Sequence, residues 1–379
     1  RYGIPSYRLP KGIVDREVEK LAEMGVRFER AELGKDLSLD ELKAQFDAVV
    51  LATGAWGERS ARVEGEELLK SGLEFLVRVN EGRLEAPGAK VAVIGGGNTA
   101  MDVARVPKRL GAEVKVLYRR TEREMPAIKE EYEHAVRDGV QFQFLALPRK
   151  AELKDGKVLL TIERMKLGEP DESGRPRPLP TGETWQEEFD AVFKAIGEVA
   201  EMSLFPDELK GPDGWLSVSA DGSTPDPKVF AVGDLVTGPA TVVQAISAGR
   251  RAARAIASKL GAMWPEPAWV AEISEDVVTP EQTNPAYFPK RAGIVPPEAQ
   301  AGPFEEETRT NSEDEVLQEI RRCFSCGHCN GCATCFVFCP DAAIRWVDDK
   351  PVINYDYCKG CGICPTECPG GTIDFVKEA

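Results

Sequence analysis

Lys90-Val91-Ala92-Val93-Ile94-Gly95-Gly96-Gly97-Asn98-Thr99-Ala100, read on to Val114-Lys115-Val116-Leu117-Tyr118-Arg119-Arg120, decides the fold of most of this chain. Val91 to Ile94 is a short apolar run with the length of a buried strand, and three glycines make the turn after it. Asn98 to about Arg105 has helical character, and Val114 to Tyr118 is the next strand. The stretch is one βαβ half-unit of a parallel α/β sheet. Gly95-x-Gly97-x-x-Ala100 follows a strand and opens a helix, the context that gives this fingerprint meaning. Gly95 permits a tight turn, Gly97 lets a pyrophosphate approach the backbone, and Ala100 is small enough for helix–strand packing. Asn98 and Thr99 open the helix, whose N-terminus then faces the phosphates. Folds of this kind usually place an acid after the second strand for a ribose hydroxyl, whereas an arginine there suits a 2′-phosphate. Arg119 and Arg120 stand at that place and favour NADP(H), while the nearby Glu122 and Glu124 pull towards NAD(H). A solvated strand end is the plain alternative for the two arginines. Pro107 lacks an N–H and clashes one turn back, so the helix is expected to kink or stop near Val106.

Working outward, strand-then-glycine elements flank this unit at Ala48 to Gly54 and at Ala191 to Gly197. A further apolar strand, Val229 to Val232, runs into Gly233-Asp234, and a helical stretch follows from about Thr241 to Leu260. A strand ending in Gly-Asp before a helix start is how many flavoproteins hold FAD. The acid, Asp234, takes the ribityl chain, and the helix N-terminus at Thr241 faces the flavin pyrimidine. A capping Asp in an ordinary loop is the plain alternative.

All ten cysteines lie between Cys323 and Cys368. Cys329-x2-Cys332-x2-Cys335-x3-Cys339-Pro340 recurs as Cys358-x2-Cys361-x2-Cys364-x3-Cys368-Pro369. Each is the run of bacterial two-cluster ferredoxins, whose fourth cysteine ligates the other cluster. Cys329, Cys332, Cys335 and Cys368 are therefore assigned to one [4Fe–4S] cluster, and Cys358, Cys361, Cys364 and Cys339 to a second. A pair of zinc sites is the competing metal reading. Cys323 and Cys326 continue the first run upstream and permit a second register, Cys323, Cys326, Cys329 and Cys332. Pro340 favours the downstream one. The two spare thiols are left as structural, free, or ligands of a further metal, to which His328 could contribute.

The 379 residues suffice for two or three domains, each with its own core. The formal charge of −15 argues against nucleic acid and against an anionic membrane face. No apolar run approaches the 18 or so residues of a membrane span, and no signal peptide is evident. Cysteines confined to one segment read as a metal domain in a reducing, cytoplasmic compartment. Between residues 262 and about 311 prolines recur and periodicity is lost, the pattern of an acidic extended linker. Ser312-Glu313-Asp314-Glu315 then fits a capping box for a helix running to about Arg322.

Together these pieces resemble the NADPH-oxidising flavoprotein family of the small subunit of glutamate synthase. Arg1 to Lys11 is similar to the segment that follows that family's FAD-binding Rossmann unit. Tyr118-Arg119-Arg120 with Met125-Pro126 is similar to its NADPH-domain signature, and Ala52-Thr53-Gly54, Ala195-Ile196-Gly197 and Gly233-Asp234 fall in its order. The resemblance implies a disulfide-reductase-like α/β flavoprotein with two dinucleotide-binding domains, its FAD part truncated, plus a small α+β bacterial ferredoxin-like domain. The expected division is 1–60 partial FAD domain, 61–198 NAD(P)H domain, 199–261 return of the FAD domain, 262–322 linker and helix, and 323–379 ferredoxin-like domain. The layout also resembles the iron–sulfur flavoprotein that partners dissimilatory sulfite reductase in sulfur oxidisers, and the flavoprotein subunit of some 2-oxoacid:ferredoxin oxidoreductases. It implies an oxidoreductase that moves electrons between NAD(P)H, FAD and two clusters, to or from a protein partner such as sulfite reductase, a 2-oxoacid oxidoreductase or ferredoxin. A homodimer is compatible with it. The N-terminal FAD fingerprint is missing, and the chain reads as beginning mid-domain. The rival expectation is a non-catalytic electron-transfer subunit in which the clusters act as a wire and the nucleotide fold is only a scaffold. No catalytic acid–base pair or nucleophile is required by either.

Overall fold

Lys90–Ile94 is the central strand of a five-stranded parallel sheet in the computed structural model of the chain, which describes residues 1–83, 85–170, 174–212, 214–264, 278–294, 302–307 and 310–376. The strand order is Lys70–Ser71, Ala191–Lys194, Lys90–Ile94, Glu113–Tyr118, Gln141–Phe144. Because side chains alternate across a strand, one strand feeds two cores. Val91, Val93, Val114, Val116 and Phe193 face one way, into a core with Leu76, Met101 and Ala135 from the helices Gly72–Asn80, Asn98–Arg109 and Lys129–Arg137. Ala92, Ile94, Leu117 and Val192 face the other way, onto Leu160, Ile162 and Phe189. Those three belong to an antiparallel meander, Ala146–Lys154, Lys157–Pro170 and Pro176–Phe189. A parallel sheet buried on both faces needs such near-continuous apolar strands.

A second, smaller sheet pairs Val49–Leu51 in parallel with Val229–Ala231, and among the described residues no third strand joins it. Leu39, Leu51, Phe205, Leu209 and Leu235 form the core beside it. The helix Lys11–Glu23 buries none of its residues, and Val242–Lys259 buries Ala252 alone.

The fingerprint helix does not stop at Val106. It runs Asn98–Arg109 with Pro107 inside, and Leu110 N–H still reaches the Val106 carbonyl at 3.2 Å. Pro107 forfeits one intrahelical bond, to the Val103 carbonyl, and Val106 and Pro107 are buried in the core, which offsets that loss.

The chain divides into two units, Arg1–Trp264 with Ala299–Glu307, and Pro265–Glu298 with Thr308–Ala379. In the second, the helix Glu313–Ile320 carries the expected capping box between Ser312 and Glu315. The short helices Thr334–Val337 and Ile363–Glu367 flank a hairpin of Ile344–Val347 with Lys350–Ile353. Residues 265–277, 295–301 and 308–309 of the expected linker lie outside the described residues. The rest of it is not bare chain. Phe288 stacks on Phe324 at 4.1 Å, and Ile294 N–H donates to Glu319 Oε1 at 2.6 Å. Phe304 packs against the helix-side core of the first unit. Among the described residues no helix is long and apolar enough to cross a membrane.

Candidate functional site

The three glycines after Ile94 do different work. Gly95 has φ 147°, and a Cβ there would collide with the Ala195 carbonyl oxygen and stand 3.2 Å from Ala100 Cβ. A Cβ on Gly96 would meet the Tyr118 ring at 2.5 Å. Gly97 is extended and caps the helix Asn98–Arg109, and a Cβ on it would find no atom within 4 Å. Open space thus lies at the N-terminus of a twelve-residue helix, where unpaired N–H groups and the helix dipole favour an anion. Thr99 beside it is half-buried, and Ala100 is fully buried against the sheet.

Asn98 has a role the sequence did not suggest. Its Oδ1 accepts from Ile128 N–H at 2.8 Å, and Ala127 N–H donates to Gly96 O at 3.1 Å. The loop carrying Met125 and Pro126 is thereby latched onto the glycine turn. Tyr118 supports the same loop by donating its hydroxyl to Glu124 O at 2.8 Å.

The two arginines part company. Arg119 is exposed. Arg120 is 3% exposed, and its Nε donates to Pro176 O at 2.8 Å, tying the second Rossmann strand to the meander. Burial raises the Tyr118 hydroxyl pKa, and Arg120, Arg175 and Arg119 pull it back. Positive charge is therefore gathered at the carboxyl end of the strand beside the glycine loop. Arg175 escaped sequence reasoning because it arrives from the meander, far downstream. A cavity of about 580 Å³ opens next to these groups, lined by Arg123, Met125, Pro126, Arg175 and Pro176 among others.

Gly233 has φ 69° and Asp234 starts the short helix Asp234–Thr237. Asp234 Oδ1 accepts from Ala240 N–H at 3.1 Å, so the carboxylate organises its own loop. Thr241 caps Val242–Lys259 in a reciprocal capping box with Gln244.

Behind the fingerprint helix lies a buried charge network. Arg8 Nη1 meets Asp102 Oδ2 at 2.7 Å and Arg8 Nη2 meets Glu131 Oε1 at 2.6 Å. Arg105, 1% exposed, pairs with Asp138 at 2.8 Å and with Glu307, which also takes Arg109 and lies 3.2 Å from His134 Nδ1. Burial pushes the Asp102 carboxyl up to about 7, against the pull of Arg8. With Ser6 Oγ donating to Phe304 O at 2.7 Å, the segment 302–307 is strapped onto the first unit.

The cysteines gather in fours. Burial raises the Cys335 thiol, reinforced by Cys332, Cys329 and Cys368. Burial likewise raises Cys364, reinforced by Cys361, Cys358 and Cys339. Cys329, Cys332, Cys335 and Cys368 line one cleft. Burial works upward on Cys368 too, but Thr372 and the backbone of Gly370 and Gly371 hold it below its ordinary value. Thr372 N–H and Oγ1 both stand 3.3 Å from the sulfur. Ala343 N–H donates to Cys339 Sγ at 3.2 Å. Ala333 and Gly362, at matching places in the two runs, share the left-handed conformation with φ 59° and 74°. Among the described residues no three His, Cys, Asp or Glu side chains are gathered closely enough to hold one metal ion.

The family model of pyridine nucleotide-disulphide oxidoreductases matches residues 12–249. The chain belongs to that family. Among its relatives is the NADPH-Fe(3+) oxidoreductase subunit beta of Geobacter sulfurreducens, 41% identical over 67% of this chain and 43% of that protein. Another is a putative glutamate synthase [NADPH] small chain of Cereibacter sphaeroides, 38% identical over 71% of this chain and 69% of that one. The resemblance to the glutamate synthase small subunit therefore holds. The chain spans less than half the length of the first relatives it matches. Mycobacterium tuberculosis FprA in complex with NADPH superposes with a TM-score of 0.55 over 72% of this chain and 78% of that one, at 20% identity, a likeness of fold. The disulfide-reductase-like α/β architecture expected from the sequence is the one family members share.

Proposed function

We propose that the chain is the electron-transferring part of an NAD(P)H-dependent iron–sulfur flavoprotein, holding a nicotinamide nucleotide at the Gly95–Ala100 loop and two [4Fe–4S] clusters on its eight motif thiols. One observation carries the reading: the thiols around Cys335 include Cys368, and those around Cys364 include Cys339. That exchange of fourth cysteines between the two runs is the ligand arrangement of two-cluster ferredoxins. A flavin bound at the Gly233, Asp234 and Thr241 end would supply exchange between the hydride of a nicotinamide and single electrons, and clusters on the eight motif thiols would supply one-electron relay.

The chain's own residues bind and orient. Gly95 holds the turn, Gly97 leaves room for the pyrophosphate, and Asn98 and Thr99 begin the helix whose N-terminal N–H groups meet it. Arg119, exposed at the strand end, is the residue proposed for the 2′-phosphate, with Arg120 holding the strand end on which it sits. Gly233, Asp234 and Thr241 are proposed for the flavin end, Asp234 keeping its Oδ2 for the ribityl chain. Backbone N–H groups of Ala343 and Thr372 donate to the sulfurs of Cys339 and Cys368, and on Cys368 such donors hold the thiol below its ordinary value. NADPH is the donor named for the Geobacter and Cereibacter relatives, which supports NADP(H) here. The partner we propose is a further protein subunit, with sulfite reductase, a 2-oxoacid oxidoreductase and ferredoxin as candidates, in a reducing cytoplasm.

Anaerobic reconstitution tests the cluster assignment. Two cubanes give about eight irons per chain, and Cys335→Ser should remove or convert one cluster while leaving NADPH binding intact. Zinc in place of iron under those conditions defeats the proposal. A second reading, in which the nucleotide fold is a scaffold and only the clusters work, draws on the smaller sheet, which among the described residues pairs two parallel strands. Flavin counting on the full-length protein separates the two, since a wire needs none.

A further inference from the structure

Behind the fingerprint helix the buried charges do not balance. Arg8 bridges two carboxylates, Asp102 and Glu131. Arg105 and Arg109 share two more, Asp138 and Glu307. Three guanidinium groups thus meet four carboxylates, and the set holds one negative charge in excess unless a proton joins it. Other charged groups nearby leave that excess in place. Lys11, which feels Asp102, donates to the Ile4 carbonyl. Glu74 and Arg78, on the helix Gly72–Asn80 that packs on the fingerprint helix, pair with each other in solvent. Asp102 Oδ1, Glu131 Oε2, Arg105 Nη1 and Tyr7 Oη are buried with no hydrogen-bond partner among the described residues. Arg105 Nη1 stands 3.7 Å from Glu131 Oε2, too far for a bond. A buried carboxylate oxygen without a donor is costly, and a proton on the carboxyl removes the charge that makes it so. Asp102 is 4% exposed, and burial lifts its carboxyl to about 7, with Arg8 pulling down and Glu131 adding to the rise.

We propose that the Asp102–Glu131 pair is a proton-binding site linked to the nucleotide site, so that NAD(P)H binding draws a proton onto Asp102. The inference rests on the assignment of the Gly95–Ala100 loop to the nucleotide. Asp102 lies on the helix that opens at Asn98, about 6 Å along its axis from that end. Phosphates at the helix N-terminus bring negative charge towards a carboxyl that already lacks a counter-charge. One such charge about 12 Å away, through protein of effective dielectric about 20, raises the proton affinity roughly ten-fold. The proton comes from the buffer and returns to it when the nucleotide leaves. Linkage is reciprocal, so the proton also favours the nucleotide, and binding weakens as pH rises through neutrality. For a ten-fold change in proton affinity, the dissociation constant rises about five-fold between about pH 6 and pH 8, and about 0.4 proton is taken up per nucleotide near pH 7.

Calorimetry on the full-length protein tests the linkage. Heats of NADPH and NADH binding are measured near neutral pH in buffers of different ionisation enthalpy, and the slope gives the protons taken up. The 2′-phosphate of NADPH itself titrates near about pH 6, so NADH, which lacks it, isolates the protein's share. The expected result is uptake with both nucleotides in the parent, and none with NADH in Asp102→Asn, whose affinity should no longer change with pH. Glu131→Gln keeps the test open if Asp102→Asn does not fold. Removing the like charge lowers the proton affinity of Asp102, so uptake should persist with its maximum moved to lower pH. In the parent, the infrared band of a protonated carboxyl should grow when NADH is added. Parent uptake of zero overturns the proposal, as does equal uptake in the parent and Asp102→Asn. Loss of uptake in His134→Gln but not in Asp102→Asn also overturns it, by moving the proton to the imidazole beside Glu307. A parent that gives no binding heat and no binding by equilibrium dialysis with either nucleotide defeats the nucleotide reading, and the linkage falls with it.

Discussion

Replacing Gly97 by Ala should sharply weaken nucleotide binding and leave the fold standing, while the same change two residues earlier should do the reverse damage. At Gly97 the backbone is extended, with φ −94° and ψ 179°, and nothing lies within 4 Å of the new methyl. The fold therefore loses only the difference between glycine and alanine as a helix cap, about 1 kcal/mol or less. The methyl fills the space through which phosphate would reach the helix amides. Losing one hydrogen bond to a charged group costs about 1.5–3 kcal/mol, a factor of roughly 10 to 150 in dissociation constant. At Gly95 the backbone has φ 147°, which side-chain-bearing residues rarely adopt, and the methyl would strike the Ala195 carbonyl of the neighbouring strand. Several kcal/mol of destabilisation follow, on the order of 3 or more, from strain and overlap combined. Thermal melts and NADPH titration of both variants read the two effects separately. A Gly97→Ala protein that melts normally and binds NADPH as tightly as the parent would refute the assignment of this loop to the nucleotide.

Arg119→Ala should weaken NADPH binding by about ten-fold or more, the value of a charge-assisted contact, and leave NADH binding unchanged. Arg120→Ala should instead lower the melting temperature, because it removes the buried bond to Pro176 O; equal loss of NADPH and NADH with Arg119→Ala would show that the residue serves no 2′-phosphate. Glu307→Ala leaves the guanidinium of Arg105 short of a partner and should cost about 3 kcal/mol. Urea unfolding would show it, and faster proteolysis near residue 304 should accompany it; an unchanged midpoint and digestion pattern would mean the strap is not anchored through this carboxylate. Asp102 has its folded value raised by burial from 3.8 to about 7. A raised acid binds its proton more tightly when folded, so its contribution to stability is full below about pH 4 and is lost as pH climbs towards 7. Urea midpoints measured from about pH 5 to 8 should fall less steeply for Asp102→Asn than for the parent, and parallel slopes would place the titration elsewhere.

The local chain was legible where short-range chemistry leaves little choice. Val91 to Ile94 is apolar at every position, which only a strand covered on both faces tolerates, and the glycine turn with Ala100 then fixes a helix behind it. The capping box at Ser312 is written in four residues, and that helix and the one expected from about Thr241 both begin where the sequence places them. The cysteine spacing is likewise a local signal, since three thiolates on one short loop can serve one cluster without help from the rest of the fold.

What the sequence could not decide was which distant groups meet. Lys157–Pro170 and Pro176–Phe189 are long strands, yet Pro176-Arg177-Pro178-Leu179-Pro180 reads as loop, and only pairing with the neighbouring strand makes it sheet. That meander brings Arg175 to the cavity beside Arg123 to Pro126 and gives Arg120 a carbonyl to bind, separating two adjacent arginines that look alike in sequence. Glu307 sits in what reads as solvated linker, and becomes half of a buried ion pair because Arg105 and Arg109 project from the far side of the fingerprint helix. Helix, turn and cap follow from neighbours within four residues, whose entropy of approach is small. Burial of a charge depends on loop closures across hundreds of residues, and those are settled by the packing of whole sheets and helices, so no local pattern records them.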